Sequence, residues 1–247
     1  MAQPQSNTPT QDLPLLSDGV FRDRGAVNTR LETFVDAAFA FTLTLLVISF
    51  DRIPENVDEL ITALKSVPAF LGSFLLLMMF WFAHRSWSRR YGLDETGAAL
   101  ISAVLIFILL VYVYPLRALT STALSAITGG WVPREIAFSS EFDVRALFAI
   151  FGIGFTLACL CITALYGYAL RRRQFLDLSA QEQFITRVEI VSWSILAAFG
   201  VASTILSGVL PAQQLHFSGW IYASLAVVMP VFGWRASARF NRLFPTG

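Results

Sequence analysis

The chain has 247 residues, 55% of them apolar and only 14% charged, with a formal charge of +1. Soluble domains carry about 25% charged residues, so this composition, with a mean hydropathy of +0.62, excludes an ordinary water-soluble globular protein. The near-zero net charge gives no electrostatic case for nucleic acid or for an anionic substrate.

Residues 1–20 are polar and proline-containing, without the basic start and apolar core of a secretory signal peptide. Residues 1–28 therefore read as a loose cytoplasmic tail, with Leu13 to Leu16 free to pack somewhere. Residues 29–238 form one membrane domain, and residues 239–247 a second cytoplasmic tail.

The first apolar block, 33–50, is long enough to cross a bilayer, yet Arg30 opens it and Asp36 sits inside it. An ionisable group at that depth is costly unless paired or wetted, and marks a functional-site hypothesis. Thr29 and Glu32 have the spacing of a capping box at the helix start. Phe41, Leu45 and Ile48 follow at intervals of four and three, which aligns them in one stripe, and Thr44 lies beside it. Such a stripe faces lipid, a neighbouring helix or a pore; spacing alone leaves these open.

A short charged piece at 55–65 reads as an amphipathic turn or helix at the surface. Five further apolar blocks follow at 67–87, 97–118, 144–170, 190–210 and 218–236. In the second, Trp81 and His84 share a face at i, i+3. Together with Arg30 and Asp36 they are expected to form a buried Arg–Asp–His–Trp cluster near the cytoplasmic ends, acting as structural glue, holding the first helix in register to line a pore, or titrating as a proton site. Pro115 and Pro230 fall late in the third and sixth blocks, where they bend or end helices. Residues 119–143 read as a long exposed loop. Gly152 and Gly154 allow close helix approach without forming a small-xxx-small pair. Cys159 and Cys161 point apart and read as apolar filler.

Arg and Lys placement sets the orientation: thirteen of the 18 fall on one side of six alternating spans and five on the other, so both termini are cytoplasmic. Trp87, Trp131, Trp220 and Trp234 suit interfacial belts, whereas Trp81 and Trp193 lie deeper and require indole partners. No paired carboxylates, Ser–His or Cys–His arrangement or metal cluster falls within the spans, so the chain is not expected to be an enzyme or to carry a cofactor. The fold class expected is an all-α, multi-pass integral membrane protein with six transmembrane helices.

Arg30-x-x-x-Phe34-Val35-Asp36 resembles the Arg-x-x-x-Phe-Ser-Asp signature of the transmembrane protein 175 family of potassium channels. Phe39-Ala40, Thr44-Leu45-Leu46-Val47, the Trp81-Phe82-Ala83-His84 element and Pro115 are similar to that family's first three helices. The resemblance implies a homotetrameric, potassium-preferring leak-type channel of the bacterial plasma membrane, with potassium ions and the lipid bilayer as its partners. The first helices would surround the pore, with Phe41 at the apolar constriction, Leu45 and Ile48 as further lining positions and Thr44 as the pore threonine. Arg30, Phe34 and Asp36 would take the motif roles, and Trp81 and His84 would be their hydrogen-bonding partners. Val35 departs from the motif serine, and no asparagine occurs between Asn56 and Asn241 to tie the network in the third helix. Two rival readings are a proton-coupled transporter using Asp36 and His84, and a non-conducting membrane protein that keeps the fold.

Overall fold

The computed structural model describes residues 13–17, 19–48 and 54–245. The helices are α1 (Arg30–Ile48), α2 (Val57–Lys65), α3 (Val67–Tyr91), α4 (Thr96–Ile127), α5 (Glu141–Arg171), α6 (Ala180–Val209), α7 (Phe217–Trp220) and α8 (Leu225–Leu243). Among the described residues, five helical runs are long and apolar enough to cross a membrane, counting Val57–Tyr91 and Phe217–Leu243 each as one. The 19-residue α1 supplies the remaining expected span. At 1.5 Å per residue it is roughly 28 Å long, about the thickness of the hydrocarbon core. The protein is therefore the all-α multi-pass membrane body its hydropathy implies.

Local signals set the helix starts. Asn56 caps α2 by accepting from the Glu59 amide at 2.9 Å, and Ser140 and Ser179 form full capping boxes with Asp143 and Glu182. α2 runs into α3 through Ser66 alone, and Pro68 stands in the first turn, where its missing N–H costs nothing. Gly92 ends α3 at φ +57°, a left-handed position that favours glycine.

Three boundaries differ from the sequence-based expectation. The third span continues through Pro115 to Ile127, because apolar and small residues sustain the helix beyond the proline. The exposed loop is correspondingly shorter, from 128 to 140. The last span is stepped, with a 3-10 turn at Ile221–Ser224 between α7 and α8, and α8 runs on to Leu243 into the expected cytoplasmic tail. No residue of α8 is buried within the chain.

The core lies among α3, α4, α5 and α6. α5 and α6 cross where Gly152 meets Gly200: a Cβ on Gly152 would lie 2.8 Å from the Gly200 carbonyl oxygen, and one on Gly200 would lie 2.9 Å from that of Gly152. Thr156 and Thr204, each four residues on, bond back to the carbonyls of Gly152 and Gly200 at 2.7 and 3.0 Å. The small-xxx-small pattern absent between Gly152 and Gly154 is thus present as Gly152-x-x-x-Thr156 and Gly200-x-x-x-Thr204 on facing helices.

The expectation of a loose N-terminal tail fails for its described second half, which straps the cytoplasmic ends of α3 and α6. Phe21 is fully buried, edge-on to Tyr91 at 5.8 Å, with the Arg90 guanidinium 4.6 Å over its ring. Arg24 donates to both carboxylate oxygens of Glu182, at 2.6 and 3.0 Å, and to the Arg90 and Leu176 carbonyls. The Gly25 amide bonds to the Arg89 carbonyl at 3.0 Å, and Asp23 pairs with Arg89. Trp87, expected at the interface, is buried with its indole N–H on the Leu165 carbonyl at 2.8 Å. Trp193 packs on Phe80 at 5.7 Å without the hydrogen bond expected of it among the described residues. Trp131, Trp220 and Trp234 are exposed at span ends, as interfacial belts require.

Candidate functional site

α1 has two faces. Glu32, Val35, Phe39, Thr42 and Leu46, spaced by three and four, are buried against the rest of the chain. The opposite face is uncovered: Phe34 is 58% and Phe41 56% exposed, and Arg30, Asp36, Ala37, Ala40 and Thr44 are exposed with them. Leu45 lies at the boundary, half-buried and packed against the core. The side chain of Ile48 lies outside the described residues. The stripe seen in the sequence is therefore turned away from the protein's own interior at Phe41, with Leu45 at its edge.

The acids exchange the positions that the sequence suggested. Asp36 lies on the exposed face, whereas Glu32, one turn earlier, is buried with Asp36, Ser88, Arg85 and Arg89 around it. Half of the expected capping box forms, with the Glu32 amide donating to Thr29 Oγ1 at 3.1 Å. The Glu32 carboxylate turns inward instead of back to Thr29, and its Oε2 has no hydrogen-bond partner.

The expected four-membered cluster resolves into two separate pairs. Trp81 donates from Nε1 to Asp36 Oδ1 at 2.8 Å, joining α3 to α1, and Arg85 lies 5.1 Å over the Trp81 ring. His84 is buried one turn further along and bonds to Ser102 Oγ of α4 at 2.9 Å. Arg30 is exposed and forms no ion pair among the described residues. The two side chains stand only about 60° apart around α3, yet that offset is enough for Trp81 to reach α1 while His84 meets α4. Thr44 donates to the Ala40 carbonyl at 2.9 Å, which commits its proton to its own helix and leaves its oxygen lone pairs free.

Sequence reasoning missed two members of this neighbourhood. Ser102 is one serine among many in apolar helices and carries no signal by itself. Arg117, counted only as an outer-side charge, is buried and donates from Nη1 to the Leu46 carbonyl of α1 at 3.1 Å. An arginine inside a span is a readable sign, because it must find acceptors there. Among the described residues no three His, Cys, Asp or Glu side chains converge to hold a metal. The arrangement offers a polar, partly apolar helix face anchored from behind, with no nucleophile–base pair upon it.

The family model described as endosomal/lysosomal potassium channel TMEM175 matches residues 30–115, which span α1 to most of α4 and hold Asp36, Trp81, His84 and Ser102. A protein of Marivirga tractuosa named "Potassium channel" is 32% identical over 232 residues, covering 90% of this chain and 93% of that one. The crystal structure of a variant of the potassium channel MtTMEM175, in complex with a nanobody–MBP fusion, superposes with a TM-score of 0.76 at 30% identity. It covers 92% of this chain and 100% of that one.

Proposed function

The chain belongs to the TMEM175 family of potassium channels, and from that premise we propose that it conducts potassium as a homotetramer whose four α1 helices surround a central pore. It is a channel-type membrane protein and not an enzyme. The observation that carries the tetrameric reading is the uncovered face of α1. Lipid would be a poor partner for that face, because it presents Arg30, Asp36 and Thr44 beside Phe34 and Phe41. The alanines at 37 and 40 give it a low profile that suits close approach of like helices around an axis.

In this arrangement Phe41 forms the narrow apolar ring and closes the path by excluding water. Partial dehydration at that ring favours potassium over the more strongly hydrated sodium. Thr44, its proton already donated to Ala40, turns oxygen lone pairs toward a passing cation. Asp36 and Trp81 hold α1 in rotation, so that Phe41 keeps its bearing. The Leu45 position lines the same path, with Ile48 beyond it.

The test is potassium flux through purified protein in liposomes. Wild type is expected to pass potassium, and Phe41→Ala to raise the flux several-fold. Absence of flux in both would reject conduction, and cross-linking that stops at one copy in the membrane would reject the tetramer.

A further inference from the structure

At the cytoplasmic end of the last two spans, α6 and α8 leave an open groove of about 430 Å³ between them. Its walls are two matched stripes, 184, 187, 188 and 191 on α6 and 232, 235, 236 and 239 on α8, each at i, i+3, i+4, i+7. The helices run antiparallel, so the stripes sort by depth. By position along the helices Val191 and Phe232 lie at the end toward the bilayer, Val188 adjoins Arg187 part-way along, and Arg239 lies nearest the cytoplasmic mouth with Arg187 and Arg235 between. Phe184 packs on Phe240 and Phe244, at 5.8 and 6.2 Å, and pins the two helices together below the groove.

The charge here is uncompensated. Elsewhere on the cytoplasmic side Arg22, Arg24, Arg89, Arg90 and Arg172 pair with Asp177, Glu182, Asp23, Glu189 and Glu95. Arg187, Arg235 and Arg239 form no ion pair or hydrogen bond among the described residues, although they share one groove. Three like charges held together favour an anion. The apolar floor above them demands a partner that is hydrocarbon at one end and anionic at the other.

We propose that this groove binds an anionic phospholipid of the cytoplasmic leaflet, its phosphate held by Arg187, Arg235 and Arg239 and an acyl chain laid along Val188, Val191 and Phe232. Basic recesses between membrane helices at this level have the chemistry for such headgroups. The site lies apart from α1 and does not depend on the conduction path. Its occupancy would fix α8, which the chain's own packing leaves without a single buried residue.

The full-length protein in detergent, titrated with phosphatidylglycerol and followed by native mass spectrometry, tests the assignment. Wild type is expected to retain phosphatidylglycerol adducts in preference to phosphatidylcholine of the same chain length. Replacing all three arginines with glutamine (R187Q/R235Q/R239Q) should weaken retention about tenfold or more. Val191→Trp, which fills the floor and keeps every charge, should weaken it as well. R171Q/R173Q, which removes two arginines from a separate cytoplasmic cavity, should leave it unchanged. Unchanged thermal unfolding of the triple variant in lipid-free detergent guards against misfolding. Equal retention by wild type and the triple variant, or equal loss in R171Q/R173Q, overturns the site in favour of general surface charge. Full competition by soluble glycerol phosphate at the lipid's own affinity overturns the acyl-chain contact. Protection of the groove by a second copy of the chain, with no lipid bound, overturns it in favour of a protein interface.

Discussion

Arg117 of α4 donates from Nη1 to the carbonyl oxygen of Leu46 in α1 at 3.1 Å, while its Nε lies 2.5 Å from Glu135 Oε2 in the outer loop. One guanidinium therefore ties the outer part of the proposed pore helix to both α4 and the loop 128–140. The Arg117 side chain is 6% exposed and that of Glu135 24%, so the pair is shielded from water without being sealed.

Arg117→Met removes the donor to Leu46 and leaves Glu135 half-buried without its cation. Breaking a buried pair by removing one partner costs about 3–5 kcal/mol, and the exposure of Glu135 places this one at or below about 3 kcal/mol. Thermal unfolding in detergent should report a lower midpoint. Burial pushes the Glu135 carboxyl up from its ordinary value, and the hydrogen bond and charge of Arg117 pull it back down. Without Arg117 its pKa in the folded state rises further above the unfolded value. Stability is then fully present below the ordinary glutamate range and is lost as pH rises through the raised pKa. The variant should accordingly be closer to wild type at acidic pH than at neutral pH. A deficit independent of pH would contradict this account.

The bond from Trp81 to Asp36 gives a second prediction. Trp81→Phe keeps most of the ring and removes the N–H, leaving Asp36 with no hydrogen bond among the described residues. A hydrogen bond to a charged group is worth about 1.5–3 kcal/mol, and the exposure of Asp36 in the single chain discounts it to about 1 kcal/mol. If α1 is held in rotation by this bond, potassium flux in liposomes should change by more than so small a loss of thermal stability implies. Asp36→Asn, which can still accept from Trp81, should retain more flux than Trp81→Phe. The reverse ranking would place the importance in the charge.

These two contacts show what was legible in the sequence. An indole and a carboxylate within apolar blocks are each costly alone, so Trp81 and Asp36 announce that they need partners, and they find one another. Arg117 also announces a need, but its link to α1 is through the backbone oxygen of Leu46, which every residue possesses, so no pattern names it. His84 resolved onto Ser102 because its side chain faces α4, and sequence spacing within α3 does not say which neighbour occupies that side. The strap at 19–29 was least legible. A segment of charged and small residues reads as loop, and distant pairings such as that of Arg24 with Glu182, 158 positions away, convert it into structure. The spans were readable because long, predominantly apolar blocks have few alternatives in water.

The crossing of α5 and α6 yields a third prediction with an internal control. Gly152→Ala places a methyl 2.8 Å from the Gly200 carbonyl oxygen and against Thr204, both on a packed helix that must move to admit it. Overpacking of this kind costs about 1–3 kcal/mol. Gly167, on the same helix, has nothing within 4 Å of its missing Cβ. Gly167→Ala should be neutral or stabilise by about 0.5–1 kcal/mol, since glycine is a poor helix former. Unfolding midpoints that move together in the two variants would refute close packing at Gly152.

The strap carries the last prediction. Arg24 and Glu182 have side chains 5% and 1% exposed, so neither can turn to water if the other is lost. Glu182 also accepts from the Ser179 amide at 2.8 Å and so closes the first turn of α6. Arg24→Gln strands a buried carboxylate, which costs about 3–5 kcal/mol, and releases residues 19–29 from α3 and α6. Hydrogen exchange should locate the effect: the Gly25 amide, bonded to the Arg89 carbonyl, should exchange much faster than in wild type, while amides in the middle of α5 should not change. Arg24→Gln/Glu182→Gln removes both charges and leaves two amides able to bond one another, so it should recover a large part of the lost stability. If the double variant is as unstable as Arg24→Gln, the harm comes from lost packing and not from an unpaired buried charge. The strap would then hang on Phe21, and Phe21→Ala would be the substitution that frees it.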